Sequence, residues 1–216
     1  PVGVIVLDRT NMLNALSLEM IRVISAALRH FQSQPDIRAV IFGAASDKAF
    51  CSGGDMKSVY KSGMAFRREE VSVDSAALFF EEEYALNRTI YEYDKPVITL
   101  MNGVTMGGGY GIAGPSKFSI ATNSTIFAMP EVLLGFFPDV GAAHFLNKCP
   151  EGFGLYLALT GARIGGQDMV AAGLATHYAP CVELEELVNA LSARLMEGGD
   201  DDASEAINAV LSELSG

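Results

Sequence analysis

The sequence predicts an α/β fold built on parallel strands, and two observations carry that expectation. Short apolar runs rich in β-branched residues recur along the chain with helix-sized amphipathic stretches between them. The first two runs, Val2–Leu7 (VGVIVL) and Ala39–Phe42 (AVIF), also flank a single helix. Such a βαβ unit pairs its strands in parallel through a right-handed crossover. The chain has 216 residues, 50% of them hydrophobic, which suffices for one sizeable core.

Each element has its own signal. Ser17 can cap a helix on which Ile21, Ile24, Leu28 and Phe31 recur at helical spacing, and Pro35 ends it. The all-apolar Ala39–Phe42 reads as a strand buried on both faces. A polar, glycine-bearing loop, ASDKAFCSGGD, then opens into a short helix at Met56–Lys61, followed by a charged and flexible segment, GMAFRREEVSVD. Ser75–Tyr93 reads as a long helix, Pro96–Met101 as a third strand and Phe118–Thr122 as a fourth. Helical segments follow at Val140–Asn147, Gly152–Thr160 and Gln167–Ala172, with a short strand around Thr176–Tyr178. Two helices, Leu184–Met196 and Ala203–Leu214, close the chain around an acidic break, GGDDD, read as a solvated terminator. No internal repeat is visible.

Composition narrows the partners. A formal charge of −11 argues against nucleic acid, whose phosphates demand a basic surface. It leaves room for an anionic ligand where a few Lys or Arg are placed locally. No window approaches the ~18 consecutive apolar residues of a membrane span, so no membrane partner is expected. Cys51, Cys149 and Cys181 are irregularly spaced, which fits neither a disulfide framework nor a metal pair and suggests a reducing compartment. The chain starts at Pro1 and enters a strand at once, so the N-terminus reads as processed or cut, and no targeting segment can be read.

Met106–Gly114 (MGGGYGIAG) contains G-x-G-x-x-G at Gly109, Gly111 and Gly114, the spelling of a dinucleotide fingerprint. Its setting is poor, because the preceding predicted strand ends at Met101 and no acid follows at the expected distance. A second reading looks at the backbone. Glycines at the mouth of a helix leave N–H groups unpaired and unshielded, able to donate to an oxygen with the help of the helix dipole. Ser52–Gly53–Gly54–Asp55 forms a second such mouth, and two mouths can give one N–H each to a single carbonyl oxygen. Tight packing of helix on sheet explains one cluster equally well.

Two acids lie downstream, Glu131 in AMPEVLLG and Asp139 in FFPDVG, each after a proline and among apolar residues. A carboxyl so placed is paired, neutralised or chemically used, although Asp139 could equally cap a helix. Glu83, in FFEEEY, belongs to an acidic run of which one member could turn inward. Competing nucleophiles are weak. There is no G-x-S-x-G elbow, Cys51 lacks an evident histidine, and His30, His144 and His177 read as structural.

FCSGGD (Phe50–Asp55), KPVITLMNGVTMGGGYG (Lys95–Gly111) and FAMPEVLLGFFPDVGA (Phe127–Ala142) together resemble the crotonase, or enoyl-CoA hydratase/isomerase, superfamily. FFEEEYALN, FPDVG and LALTGARI look most like its 3-hydroxyisobutyryl-CoA hydrolase branch. The resemblance runs from Val2 to about Tyr178. It implies a crotonase-like ββα spiral core over residues 1–180, with a shortened C-terminal helical segment over 181–216. It implies an acyl-CoA substrate whose thioester oxygen meets an oxyanion hole formed by Gly54 and Gly108. Ser52 and Gly54 would border CoA, Glu131 and Asp139 would be catalytic, and Glu83 would line the acyl pocket beside Gly108. No cofactor is implied beyond the CoA of the substrate.

The hydratases of the family carry a second glutamate where this chain has Gly111, so the resemblance favours thioester hydrolysis, as in valine breakdown. The alternatives are hydratase or isomerase chemistry on Glu131 alone, or a CoA-binding module without catalysis. The resembling hydrolases run on into a helical region that closes the site, so this chain reads as a truncated piece, a naturally short relative, or a protein whose lid comes from a neighbouring subunit. The family also implies a homo-oligomer, a trimer or hexamer, and a mitochondrial setting.

Overall fold

The computed structural model describes residues 1–197 and 202–214. The first strand β1 (Val2–Leu7) and the first helix α1 (Leu18–Ser33) follow the sequence expectation closely. Ser17 caps α1 by accepting from the Met20 N–H at 3.2 Å, and Ile21, Ile24 and Leu28 are buried. The chain then alternates between two sheets. From β2 (Ala39–Ala44) it passes to β3 (Ala49–Cys51) and the helices α2 (Met56–Arg67) and α3 (Ser75–Tyr91). From β4 (Val97–Met101) it passes to β5 (Val104–Met106) and α4 (Gly108–Ala113). From β6 (Phe118–Ala121) it passes to β7 (Ile126–Ala128), a 3₁₀ turn at Glu131–Leu134, and α5 (Ala142–Leu146) and α6 (Phe153–Thr160). The return runs through β8 (Ile164–Gly165) and α7 (Gly166–Ala171) to β9 (His177–Tyr178). Each circuit is a strand in one sheet, a strand in the other and helix, which is the expected ββα spiral.

The larger sheet has the order β1-β2-β4-β6-β9 with every pair parallel, in register Val4↔Ile41, Ile41↔Ile98 and Ile98↔Phe118. The smaller has the order β3-β5-β7-β8, parallel except for β8 on β7. Strand alternation splits the core. Val40, Phe42, Val97 and Met101 face the layer containing α1 and α3, whereas Ile41, Ile98, Leu100 and Ile120 face the opposite side. That opposite face is covered by α8 (Leu184–Glu197) and α9 (Ala203–Leu214) through Leu187, Leu191, Leu195, Ile207 and Leu211. The acidic break was read over Gly198–Asp202, and its first four residues lie outside the described residues.

Three expectations need correction. The stretch read wholly as loop before Ser52 contains β3, and β5 and β7 went unread, so the second sheet was missed. Met56–Lys61 is the start of a helix that continues to Arg67, into the segment read as flexible. The missing β5 also undoes one objection to the nucleotide fingerprint, since Gly109 stands only three residues past Met106 rather than eight past Met101.

Candidate active site

Two glycine turns face each other at the seam between β3 and α4. Gly107 precedes α4 at φ +49° and Gly53 lies at φ +104°, backbone conformations that side-chain-bearing residues rarely adopt. A methyl group built on Gly108 would stand 3.5 Å from the Gly54 nitrogen, and one on Gly53 would stand 3.6 Å from the Gly108 nitrogen. The neighbours of Gly54 are committed elsewhere. Gly53 O accepts from Leu16 N–H, and Asp55 N–H donates to Leu16 O, each at 2.8 Å. Because alternate residues of an extended chain point their N–H groups to opposite sides, this pairing turns the Gly54 N–H away from Leu16. Neither the Gly54 nor the Gly108 N–H has a hydrogen-bond partner among the described residues. The Gly108 N–H is also one of the unpaired donors at the start of α4.

The SGGD loop is held from below. Asp55 is buried, caps α2 through the Ser58 N–H at 3.2 Å, and takes a 2.8 Å ion pair from Arg9. Burial pushes its carboxyl up, but the hydrogen bonds from Arg9 and Ser58 outweigh that and hold it below the ordinary carboxylate value. Ser52 N–H donates to Leu13 O at 3.0 Å, which places Ser52 at the rim.

All the acids singled out in the sequence reach this place. Ser52, Gly54, Gly108, Glu83, Glu131 and Asp139 line one small cavity of about 70 Å³, walled by Phe79, Phe80, Leu134 and Phe136. Of the acidic run on α3, Glu82 pairs with Arg22 at the surface and Glu83 alone is buried. Glu83 Oε1 lies where a methyl on Gly108 would overlap it, and Glu131 Oε1 would be 2.6 Å from a methyl on Gly107. Two carboxyls thus crowd the mouth of α4, which is incompatible with a pyrophosphate there and disposes of the nucleotide reading. Asp139 is no helix cap: α5 starts at Ala142 behind Gly141, and the Asp139 carboxylate accepts from the Tyr84 hydroxyl at 2.6 Å. Val140, at φ +43°, is a β-branched residue in a costly conformation that fixes the Asp139 backbone against Gly111.

The three acids are coupled. Glu83 is pushed up to about 8 by burial and then by the charges of Asp139 and Glu131. Glu131 is pushed up to about 7, again by burial first and then by Asp139. Burial raises Asp139 as well, against the pull of the Tyr84 hydrogen bond. Cys51, by contrast, is pushed up to about 12 by burial and behaves as a small hydrophobe.

Buried side-chain atoms lacking a partner mark the same region. Among the described residues they are Glu83 Oε1, Glu131 Oε2 and both amide atoms of Asn87, together with the distant Gln32 Oε1. Native proteins rarely leave such atoms unpaired outside sites that take a ligand or water. Asn87 and Tyr84 were missed in the sequence. Asn87 stands one turn beyond Glu83 on α3 and packs on Gly111, as Glu83 packs on Gly108. A methyl on Gly111 would meet Val140 Cβ at 2.9 Å and Asn87 Nδ2 at 3.0 Å.

The arrangement can hold a carbonyl oxygen on two N–H donors with acids on hand for proton transfer or attack. Comparison with known proteins follows the same line. The family model for enoyl-CoA hydratase/isomerase matches residues 2–215. The 3-hydroxyisobutyryl-CoA hydrolase, mitochondrial, of Danio rerio is 44% identical over 185 residues, covering 86% of this chain and 47% of that protein. The protein of the same name from Mus musculus is 42% identical over 201 residues, covering 93% and 51%. The chain therefore spans about half the length of the curated relatives it matches. Among solved structures, a carnitinyl-CoA dehydratase from Mycobacterium thermoresistibile superposes with a TM-score of 0.83 at 35% identity, covering 96% of this chain and 57% of that one. An enoyl-CoA hydratase from Rhodobacter sphaeroides gives 0.76 at 32% identity, covering 96% and 71%.

Proposed function

The chain belongs to the enoyl-CoA hydratase/isomerase family, and within it we propose that it hydrolyses short, branched 3-hydroxyacyl-CoA thioesters, 3-hydroxyisobutyryl-CoA first among them. One observation carries this reading: two backbone N–H groups without partners among the described residues converge with the buried Glu83 and Glu131 and the half-buried Asp139, while the Gly111 side is closed by Val140 and Asn87. Hydration of a double bond calls for a second acid on that side, and none has room. The small cavity favours a short acyl chain.

In this mechanism the thioester oxygen docks on the N–H groups of Gly54 and Gly108, with Ser52 and Gly54 bordering CoA. Glu131 attacks the thioester carbon, forming an anhydride as the C–S bond breaks and the thiolate leaves to take up a proton. Water then opens the anhydride; alternatively Glu131 takes a proton from a water that attacks directly. Either way one water and one thioester give one carboxylic acid and free CoA. Asp139 takes the substrate hydroxyl or orients the water. Glu83, neutral at pH 7 because its carboxyl is pushed up to about 8, shapes the acyl pocket without adding charge beside the oxyanion. No cofactor beyond the CoA of the substrate enters. The relatives' names support a mitochondrial setting. The exposed apolar Leu133, Leu134, Leu155 and Leu159 suit contact with further copies in a trimer or hexamer.

Thiol release from 3-hydroxyisobutyryl-CoA tests the reading. Glu131→Gln should lower kcat by at least about 10²-fold, the usual contribution of a positioned acid or base. Near-full activity in that variant would overturn the assignment. The likeness to solved hydratases supports a second reading, hydration of an enoyl-CoA. Loss of enoyl absorbance without thiol release would favour it, and tight CoA binding with no turnover of either substrate would favour a binding module.

A further inference from the structure

Three carboxyls share one small cavity, and they cannot all be ionised near neutral pH, because each charge raises the cost of the next. The fold must therefore decide the order in which they ionise. The environments of the three differ in two respects: Glu83 and Glu131 are buried while Asp139 is half-buried, and only Asp139 accepts from a side-chain donor. The Tyr84 hydroxyl lies 2.6 Å from Asp139 Oδ2, whereas Glu83 Oε1 and Glu131 Oε2 are buried without a hydrogen-bond partner among the described residues. A phenolic O–H donates to an ionised carboxylate and strengthens with its charge. Tyr84 keeps its own proton: although its side chain is partly exposed, partial desolvation of the hydroxyl and the bond to Asp139 push its ionisation above the ordinary tyrosine value.

Tyr84 is also held in place. Its ring lies 6.0 Å from that of Phe80, which stands 5.9 Å from Phe136 on the segment leading to Asp139. The donor on α3 and the acceptor after the 3₁₀ turn are thus fixed by one aromatic contact chain. Other titratable groups near Asp139 do not duplicate this role. Glu83 and Glu131 face it as acids, while Arg88 is engaged with Glu92 at 3.0 Å. His144 lines the adjoining cavity with its ring against Tyr91.

We propose that Tyr84 is a positioning residue that makes Asp139 the first member of the three-acid cluster to ionise, leaving Glu131 to ionise next as the reacting group, and aims the Asp139 carboxylate at the acyl group. The proposal rests on the reading of Asp139 as a substrate-facing group, but its charge state can be measured without substrate. Carboxyl carbons of Asp in ¹³C-labelled protein are titrated by NMR, with Asp139 identified by its loss in Asp139→Asn, and Glu83 and Glu131 are followed by Glu labelling. Asp139 should titrate below both glutamates, and Tyr84→Phe, which keeps the ring, should raise its midpoint by about one pH unit, as expected for a lost hydrogen bond to a charged group. In thiol release, Tyr84→Phe should lower kcat about tenfold with KM within twofold, and should add nothing in the Asp139→Asn background.

An unmoved Asp139 midpoint in Tyr84→Phe overturns the proposal, as does a full additive loss in the double variant. Should Tyr84→Phe not fold, the parent still decides: Asp139 titrating above Glu131 overturns the proposal. If the parent releases no thiol from any acyl-CoA while the NMR ordering and shift hold, the functional reading fails and the charge assignment stands.

Discussion

Gly111 bears most directly on which reaction runs here. In sequence it is only a missing glutamate; in the structure the space beside it is filled. A side chain there would run into Val140 Cβ at 2.9 Å and the Asn87 amide at 3.0 Å. Gly111→Glu should therefore fail to create a hydratase. Val140, already in a strained conformation, would have to move and carry Asp139 with it. We expect thiol release to fall by about an order of magnitude and no enoyl hydration to appear; hydration gained at unchanged stability would show that the pocket has the room we deny it. Glu131, Asp139 and the glycines stood out because each breaks a local rule, a carboxyl among apolar residues or glycines at a helix mouth, whereas Glu83 was singled out of its acidic run by the resemblance alone. Tyr84 and Asn87 break no such rule. A tyrosine and an asparagine on an amphipathic helix are ordinary, and the Tyr84–Asp139 bond joins residues 55 apart in the chain, which no spacing pattern records.

The same divide holds for elements. Helices α1 and α9 and strands β1 and β4 were legible because a sequence period or a continuous apolar run extends over them. The strands β3, β5 and β7 have three residues each, too few for any period, and are stabilised by partners from other circuits of the spiral. Equally hidden was the segment Leu13–Leu16, which carries no period yet pairs with the SGGD turn and so turns the Gly54 N–H away from itself. Arg9 ties that segment to Asp55 and to Ala15 O at 2.9 Å. Arg9→Met should then destabilise the protein by about 3 kcal/mol, the lower end for stripping one partner from a buried charge. The kcat should fall with it as the turn loosens. Adding Asp55→Asn removes the uncompensated charge and should recover most of the stability in denaturant titrations at pH 7. A double variant no more stable than Arg9→Met would mean that packing of the Arg9 stem, and not the stranded charge, sets the cost.

At the scale of the molecule, the question is whether residues 181–216 are an appendage, as a boundary at 180 would have it, or part of the body. The sheet supplies the physical answer. It is parallel, its strands β2, β4 and β6 are buried on both faces, and one face, with Ile41, Ile98, Leu100, Phe118 and Ile120, meets α8 and α9 and the chain leading into them. Leu184 seats on Gly43, where even a methyl group would stand 2.5 Å from its side chain. Uncovering five large side chains at roughly 1.5–3 kcal/mol each costs as much as the whole ~5–15 kcal/mol by which a domain of ordinary stability holds together. A chain stopped at Pro180 should therefore be insoluble or lack a cooperative melt, although every residue proposed for catalysis lies before that point. Single losses should be graded: Leu191→Ala, fully buried, should cost about 2–5 kcal/mol while leaving the KM of the folded fraction unchanged. A Pro180-terminated chain that melts cooperatively and still releases thiol would make the helices dispensable. Short of that result, α8 and α9 serve the site from behind, by burying the far face of the sheet whose near face carries it.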